Sequence, residues 1–374
     1  MSPSLLTGMR VLSVGHTLPS MYCIPALRDL GAEVTLIEAP DAESVAARYA
    51  ALAGLFPTRS LLAGTSRCVI NLRDQRGRDA YCRMAQQADV ILESFRPGIS
   101  ARLGVGYENI KGVNPRIVYA AISGYGQSGP LRDRVGHDLN YLAASGVLHL
   151  TGDPGTVPSV PGTLFADGLA GMSAALNIVA ALWQRVQTGE GCYLDIAIAD
   201  GPAFLMAMEY DYFRETGKPR QRGDTHLCSG YPWYHVFETA DGRYLSVAAV
   251  EPHFYERLCN AIGRPDLVNR QFADAHERRD LFDTFAGIFK SKSLKEWSEI
   301  LDDKDVCAAP VLTAGEAVQV LQPSNSPSAT QRLGSPIRLA SAGPPASKDT
   351  SAVLAAFAFS ADEIDSLRQS GCIE

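Results

Sequence analysis

RVLSVGHTLPSMYCIPALRDLGAEVTLIE, residues 10–38, decides the fold of this 374-residue chain. RVLSVG (10–15) is a short apolar run ended by a glycine. IPALRDLGA (24–32) carries apolar residues at helical spacing and is closed by Gly31, and EVTLIE (33–38) returns as a β-branched strand. Further strand candidates are ADVILES (88–94), RIVYAAISGYG (116–126) and CYLDIAIAD (192–200), separated by helix-like stretches. Strands alternating with helices imply parallel pairing. Near-continuous apolar strands fit a sheet covered on both faces. The expected fold class is α/β, with a Rossmann-like large domain.

The character changes after residue 200. FLMAMEYDYFRETG (204–217) reads as a helix ending at Gly217, followed by the basic connection KPRQRGD. HVFETADGRYLSVAAV (235–250) places a DG turn between two β-rich runs, a hairpin signal. Helical patterns follow, then the Pro- and Ser-rich LQPSNSPSATQRLGSP (321–336), which reads as a linker. In the tail, FSADEIDSLRQSG (359–371) is a helix with Ser360 as cap and Glu363 at the reciprocal capping position. The domain reading is therefore a large α/β part over 1–198 and a helix and connection over 199–224. A smaller α+β domain follows over 225–325, with a linker and return to the large domain over 326–374.

Composition excludes several classes. Formal net charge is −7, which argues against sequence-independent nucleic-acid binding. No apolar run reaches the length of a membrane span. MSPSLLTGMRVLSVG has Arg10 inside its apolar stretch and reads as no signal peptide, and SGCIE is not an SKL-type address. A cytoplasmic protein is expected. None of the eight cysteines forms a CxxC pair, and the seven histidines show no metal-ligand spacing, so free thiols and no metal are expected.

Four places carry candidate chemistry. RVGHDLNYLAASG (134–146) sets His137 and Asp138 at the mouth of a helix. Asp138 reads as a cap, or the pair offers an imidazole that moves a proton beside N–H groups aimed at developing negative charge. Asp167, in LFADGLAGMSAALNIVAALW, precedes a long helix of small residues. It reads as an N-cap, or as a carboxylate cramped enough for its pKa to rise. Glu251, in VAAVEPHFYERL, ends an apolar strand before Pro252, again a helix-terminus carboxylate on the plain reading. RPGISARLG (96–104) places Arg96 and Arg102 about a Pro-Gly turn, either a solvated loop or a grip for phosphate. GYGQSG (124–129) lacks a following Lys-Ser or Lys-Thr and reads as a tight turn, with a phosphate cradle as the alternative. Met172, Met206 and Met208 read as core residues, with an adaptable apolar surface as the alternative.

In order, these pieces resemble the CoA-transferase/racemase family often called class III CoA-transferases, of the CaiB/BaiF type. The resemblance runs through GMRVLSVG, LRDLGAEVTLIE, ESFRPGISARLG, ISGYGQSGP, GHDLNY, ALWQRVQTGEGCYLDIAIADG and the tail helix. His137 and Glu251 resemble the α-methylacyl-CoA racemase branch, whereas Asp167 matches both branches. The resemblance implies an acyl-CoA thioester as substrate, no cofactor beyond the CoA it carries, and an interlocked homodimer. In it Glu251 of one subunit meets His137 of the other. Arg73, Arg96, Arg102 and Gly136 are then expected to hold CoA.

The implied reaction inverts the α-carbon of a 2-methyl-branched acyl-CoA. His137 and Asp167 stand on opposite faces, the N–H of Asp138 meets the enolate oxygen, and Glu251 orients His137. The alternative is a CoA-transferase in which Asp167 attacks the acyl group. Two positions depart from the family pattern. Ala39 stands where many relatives carry an arginine, and Thr163 stands where racemases often have an asparagine four residues before the aspartate.

Overall fold

The computed structural model describes residues 4–40, 59–225, 227–321 and 347–374. Among them, chain contacts define two compact units. The first draws on the described residues within 1–145, 162–205 and 327–374, and the second on those within 146–161 and 206–326.

The first unit is built on a seven-stranded parallel sheet. Its strands are β1 (Arg10–Val14), β2 (Glu33–Glu38), β3 (Ser66–Val69), β4 (Val90–Glu93), β5 (Val118–Ser123), β6 (Cys192–Ala197) and β10 (Ser347–Lys348). They lie in the order β10-β3-β2-β1-β4-β5-β6, all parallel, with Arg10 opposite Glu33 and Val14 opposite Ile37 in the first pair. This is the doubly wound arrangement, reversing direction between β1 and β4, where such sheets open a crevice at their carboxyl ends. β4 and β5 are buried at every residue, as the apolar runs require. The sequence did not single out β3, a four-residue strand beginning with Ser-Arg.

Three helices of this unit matter for the site: α1 (Leu18–Asp29), α2 (Asp138–Ser145) and α3 (Phe165–Thr188). α1 and α3 pack together tightly. A Cβ added at Gly171 of α3 would stand 2.7 Å from the Pro19 carbonyl oxygen and 2.9 Å from the Cys23 nitrogen of α1. Against the opposite face of the sheet, Tyr81 and Met84 meet Leu12, Tyr119 and the tail residues Leu354 and Phe357 in one core. The tail thus returns to the large unit. Its last helix, Ala361–Gln369, is closed by Ser360 and Glu363 capping each other's backbone N–H at 3.2 and 2.7 Å.

α3 corrects one expectation. By length and composition it could cross a membrane, yet half of its most apolar window is buried within the protein. Its Arg185 is buried too, 2.9 Å from Asp89. It is the length of a span and the chemistry of a core helix.

The second unit holds an antiparallel sheet of β7 (Tyr234–Glu238), β8 (Tyr244–Ala248) and β9 (Ala308–Pro310). The DG hairpin is present, with Gly242 at φ +72°. Helix α4 (Pro252–Ala261) and helices Ala275–Phe289 and Leu294–Leu301 close over a core that includes Trp233, Phe237, Tyr255, Phe285 and Trp297. Residues 146–161 group with this unit although they fall inside the stretch read as 1–198. The Arg222 guanidinium fixes them, donating to the carbonyls of His149 and Thr156 at 2.6 Å and of Asp153 at 3.3 Å. The linker residues 322–336 lie outside the described residues. All eight cysteines are free thiols.

Candidate active site

The mouths of α2 and α3 meet. His137 is the residue before α2: its carbonyl accepts from the N–H of Asn140 at 2.8 Å and of Tyr141 at 3.3 Å. Its own N–H donates to the Asn140 side chain at 3.0 Å. The His137 imidazole is exposed and makes no hydrogen bond among the described residues. Asp138 begins the helix, so its N–H has no intrahelical acceptor. Its carboxylate does not cap α2. It reaches across instead, and Oδ1 accepts from the backbone N–H of Asp167 at 3.0 Å, in the first turn of α3.

Asp167 is not an N-cap either; Leu164 holds that position without a side-chain bond. The Asp167 side chain is 8% exposed and accepts no hydrogen bond among the described residues. Burial, and secondarily the charge of Asp138, push its carboxyl up to about 6. Two tyrosines face this pair. Tyr22 of α1 has its hydroxyl raised by burial and by both carboxylates. Tyr141 of α2 is pushed up to about 12, first by burial and then by Asp167. The Tyr141 hydroxyl donates to the Gly136 carbonyl at 2.8 Å. A Cβ at Gly124 would come within 2.6 Å of that hydroxyl, so the two glycine turns close around one ring. Sequence reasoning found His137, Asp138 and Asp167 but neither tyrosine, because helical spacing alone does not reveal which aromatic turns toward a carboxylate.

In the second unit, Glu251 is the N-cap residue of α4 but its side chain makes no capping bond. It is exposed, and its charge acts on the nearby Cys307 thiol. Thr163 lies exposed in the bend before α3, and its hydroxyl makes no hydrogen bond among the described residues. The Asp167 turn is held by Asp138 instead.

The arginines lie at the carboxyl edge of the parallel sheet. Arg73 follows β3, and its N–H donates to the Asn71 side chain at 3.0 Å. Arg96 follows β4 on a turn that Gly98 makes at φ +81°. The guanidinium of Arg102 reaches that turn, and so does that of Arg132, which the sequence reading passed over; they lie 4.0 and 3.4 Å from a Cβ placed on Gly98. β3 and β4 are separated by β2 and β1. Their ends are thus about 14 Å apart at ordinary strand spacing. Arg73 and the Arg96–Arg102 group therefore suit different parts of an extended ligand. Gly136 packs under Tyr141, a Cβ there meeting the ring at 3.1 Å. In GYGQSG the Gln127 N–H is taken by the Asp195 carboxylate at 3.0 Å, which makes the loop a tight turn.

Fold and site together define a doubly wound α/β protein whose polar chemistry gathers where two helix mouths meet. The family model of CoA-transferase family III matches residues 6–341. Over 316 residues the chain is 34% identical to the alpha-methylacyl-CoA racemase of Homo sapiens, covering 84% of this chain and 79% of that protein. It is 30% identical over 327 residues to the acetyl-CoA:oxalate CoA-transferase of Acetobacter aceti, covering 84% and 82%. In fold it resembles the crystal structure of a CAIB/BAIF family protein from Brucella suis, with a TM-score of 0.79 and 22% identity over 95% of this chain and all of that one. The chain belongs to CoA-transferase family III, a family of enzymes.

Proposed function

We propose that this enzyme is an α-methylacyl-CoA racemase, inverting the α-carbon of 2-methyl-branched acyl-CoA thioesters without a cofactor. One observation carries the reading: a nearly buried, donor-free carboxyl, Asp167, is tied through Asp138 to a helix mouth that presents an unengaged imidazole, His137. Two groups able to accept and return a proton are what a 1,1-proton transfer needs. His137 takes the α-proton from one face, leaving an enolate whose charge collects on the thioester oxygen. The orphan N–H of Asp138 donates to that oxygen. Asp167, protonated, delivers a proton to the opposite face. The raised pKa of Asp167 suits both its roles, as acid in one direction and base in the other.

The Arg96–Arg102 turn and Arg73 hold the CoA phosphates. Glu251, free of any cap, serves His137 from the second subunit of a homodimer. The solvent-facing side of α3 supports such pairing: Leu176, Trp183 and Val186 are 71%, 68% and 73% exposed in the single chain, and Met172 lies on the same side. Met172 and Met208 are likewise exposed rather than core residues. Sedimentation of the enzyme and of a Trp183→Asp variant tests the dimer; a monomeric wild type would remove it.

The transferase reading rests on the same donor-free Asp167 carboxylate, which could attack an acyl group. Two measurements separate the readings. Separate (R)- and (S)-2-methylacyl-CoA thioesters, incubated in heavy water, should both exchange the α-proton and interconvert. Hydroxylamine should trap no acyl-aspartate; an adduct forming at the rate of turnover would replace the racemase with a transferase.

A further inference from the structure

We propose that Glu93 is a positioning residue for ligand affinity, fixing the turn that carries Arg96 and leads into Arg102. This inference rests on the reading above that the turn holds CoA. Glu93 is the last residue of β4 and only 3% exposed. Its two carboxyl oxygens reach the two ends of the following loop. Oε2 accepts from the Phe95 N–H at 3.3 Å, and Oε1 accepts from the Ser100 hydroxyl at 3.1 Å. Ser100 lies in the helix Ile99–Leu103 that bears Arg102, and Arg96 lies between the two bonds. One buried side chain thus closes residues 95–100 from beneath.

The loop is braced from outside as well. The Ser94 hydroxyl bonds the Gly15 carbonyl, and a Cβ on Gly15 would meet the Phe95 ring at 2.8 Å. Around the Glu93 carboxyl stand tyrosines: Tyr81, Tyr119 and Tyr193 all have their hydroxyls raised in part by its charge. Among the described residues no basic group bonds the Glu93 carboxyl, and burial pushes it up to about 7, so its placement costs free energy that the two hydrogen bonds offset. Those bonds run to the two ends of the arginine turn.

The test uses the full-length enzyme, with CoA itself as probe in calorimetry and racemisation for kinetics. Glu93→Ala removes both bonds at once, whereas a glutamine could keep both, its oxygen accepting from the Phe95 N–H and its amide donating to the Ser100 hydroxyl. CoA affinity should fall about tenfold in Glu93→Ala, the order expected when one or two ordinary hydrogen bonds are lost. KM should rise in step while kcat stays within about twofold, because Glu93 touches no reacting atom. Ser100→Ala should act in the same direction, and the double variant should be little worse than Glu93→Ala alone. If Glu93→Ala does not fold, Ser100→Ala carries the test. Arg102→Ala is the control. Weakened binding in Arg102→Ala with none in the Glu93 and Ser100 variants would overturn the positioning role alone. Unchanged binding in Arg102→Ala would instead remove the reading of the turn, and the inference with it. A fall in kcat with CoA affinity intact would also overturn it.

Discussion

The carboxylate of Asp138 holds the backbone N–H of Asp167 at 3.0 Å, so the residue that opens one helix secures the first turn of another. The two carboxylates are thereby kept close, and the charge of the first keeps part of the pressure on the second. Asp138 thus serves two ends. Its side chain places Asp167, and its N–H, at the start of the helix, has no intrahelical acceptor.

Replacing Asp138 with Asn separates those effects. An asparagine side-chain oxygen can still accept from the Asp167 N–H, but the like charge is gone. The pKa of Asp167 should move down from about 6, and only part of the way, because burial is the larger cause of its elevation. The acidic limb of α-proton exchange due to Asp167 acting as base should shift to lower pH. Following exchange in heavy water from pH 4 to 8 measures this; an unmoved limb would mean that Asp138 does not act on Asp167 electrostatically.

Asp167 also makes a stability prediction. Its folded pKa lies above the ordinary carboxylate value, so the folded state binds the proton more tightly than the unfolded chain does. Stability therefore falls as pH rises from about 4 through about 6, and the ionised carboxylate is a standing penalty above that. Asp167→Asn stays neutral throughout. It should not racemise, yet it should be more stable than wild type at pH 7.5 by on the order of 1–3 kcal/mol. The advantage should vanish near pH 4. Urea unfolding at both pH values checks it, and equal stability at pH 7.5 would contradict the assigned environment.

Gly171 controls how closely α1 and α3 approach. Alanine there would gain about 1 kcal/mol of helix propensity. Its methyl, however, would meet backbone atoms of Pro19 and Cys23 at 2.7 and 2.9 Å, and these cannot move aside as a flexible side-chain tip would. Overpacking of this kind costs about 1–3 kcal/mol. Gly171→Ala should therefore be net destabilising and, one helical turn from Asp167, should lower racemisation as well. A denaturation midpoint at or above that of wild type would show that the helices can separate freely.

Most of the parallel sheet was legible because β1, β2, β4, β5 and β6 are apolar runs punctuated by glycine and separated by helical spacing. β3 was not: SRCV is four residues long, opens on two polar side chains, and is recognisable as a strand only through its pairing with β2. The excursion of residues 146–161 into the second unit was hidden for a similar reason. It depends on three carbonyls converging on Arg222, and no local pattern announces where a guanidinium will reach. At the site, residue types betrayed His137, Asp138 and Asp167, but the sequence offered capping as an explanation for each carboxylate. Only the geometry shows that Asp138 secures the neighbouring helix and that the Asp167 carboxyl accepts no hydrogen bond among the described residues. Glu93 was passed over because a single acid in an apolar strand looks like the strand's solvent end, and here that end is buried.

The division of labour between His137 and Asp167 gives the most specific expectation. In a two-base reaction each group removes the α-proton of one enantiomer and returns a proton to the other. His137→Ala should therefore stop racemisation while leaving Asp167 able to exchange the proton of the enantiomer it faces. Asp167→Ala should give the mirror image, with exchange surviving in the opposite enantiomer. The two residues sit on the mouths of different helices, so each variant leaves the other base on its own scaffold. The link that joins the mouths runs from the Asp138 side chain to the Asp167 backbone N–H, which alanine at 137 or at 167 retains. A transferase predicts otherwise: loss of Asp167 would abolish acyl transfer, and neither variant would show exchange that depends on enantiomer. Deuterium uptake into each purified enantiomer, read by mass spectrometry for both variants, distinguishes these cases. Equal residual exchange of both enantiomers in both variants would sink the two-base assignment.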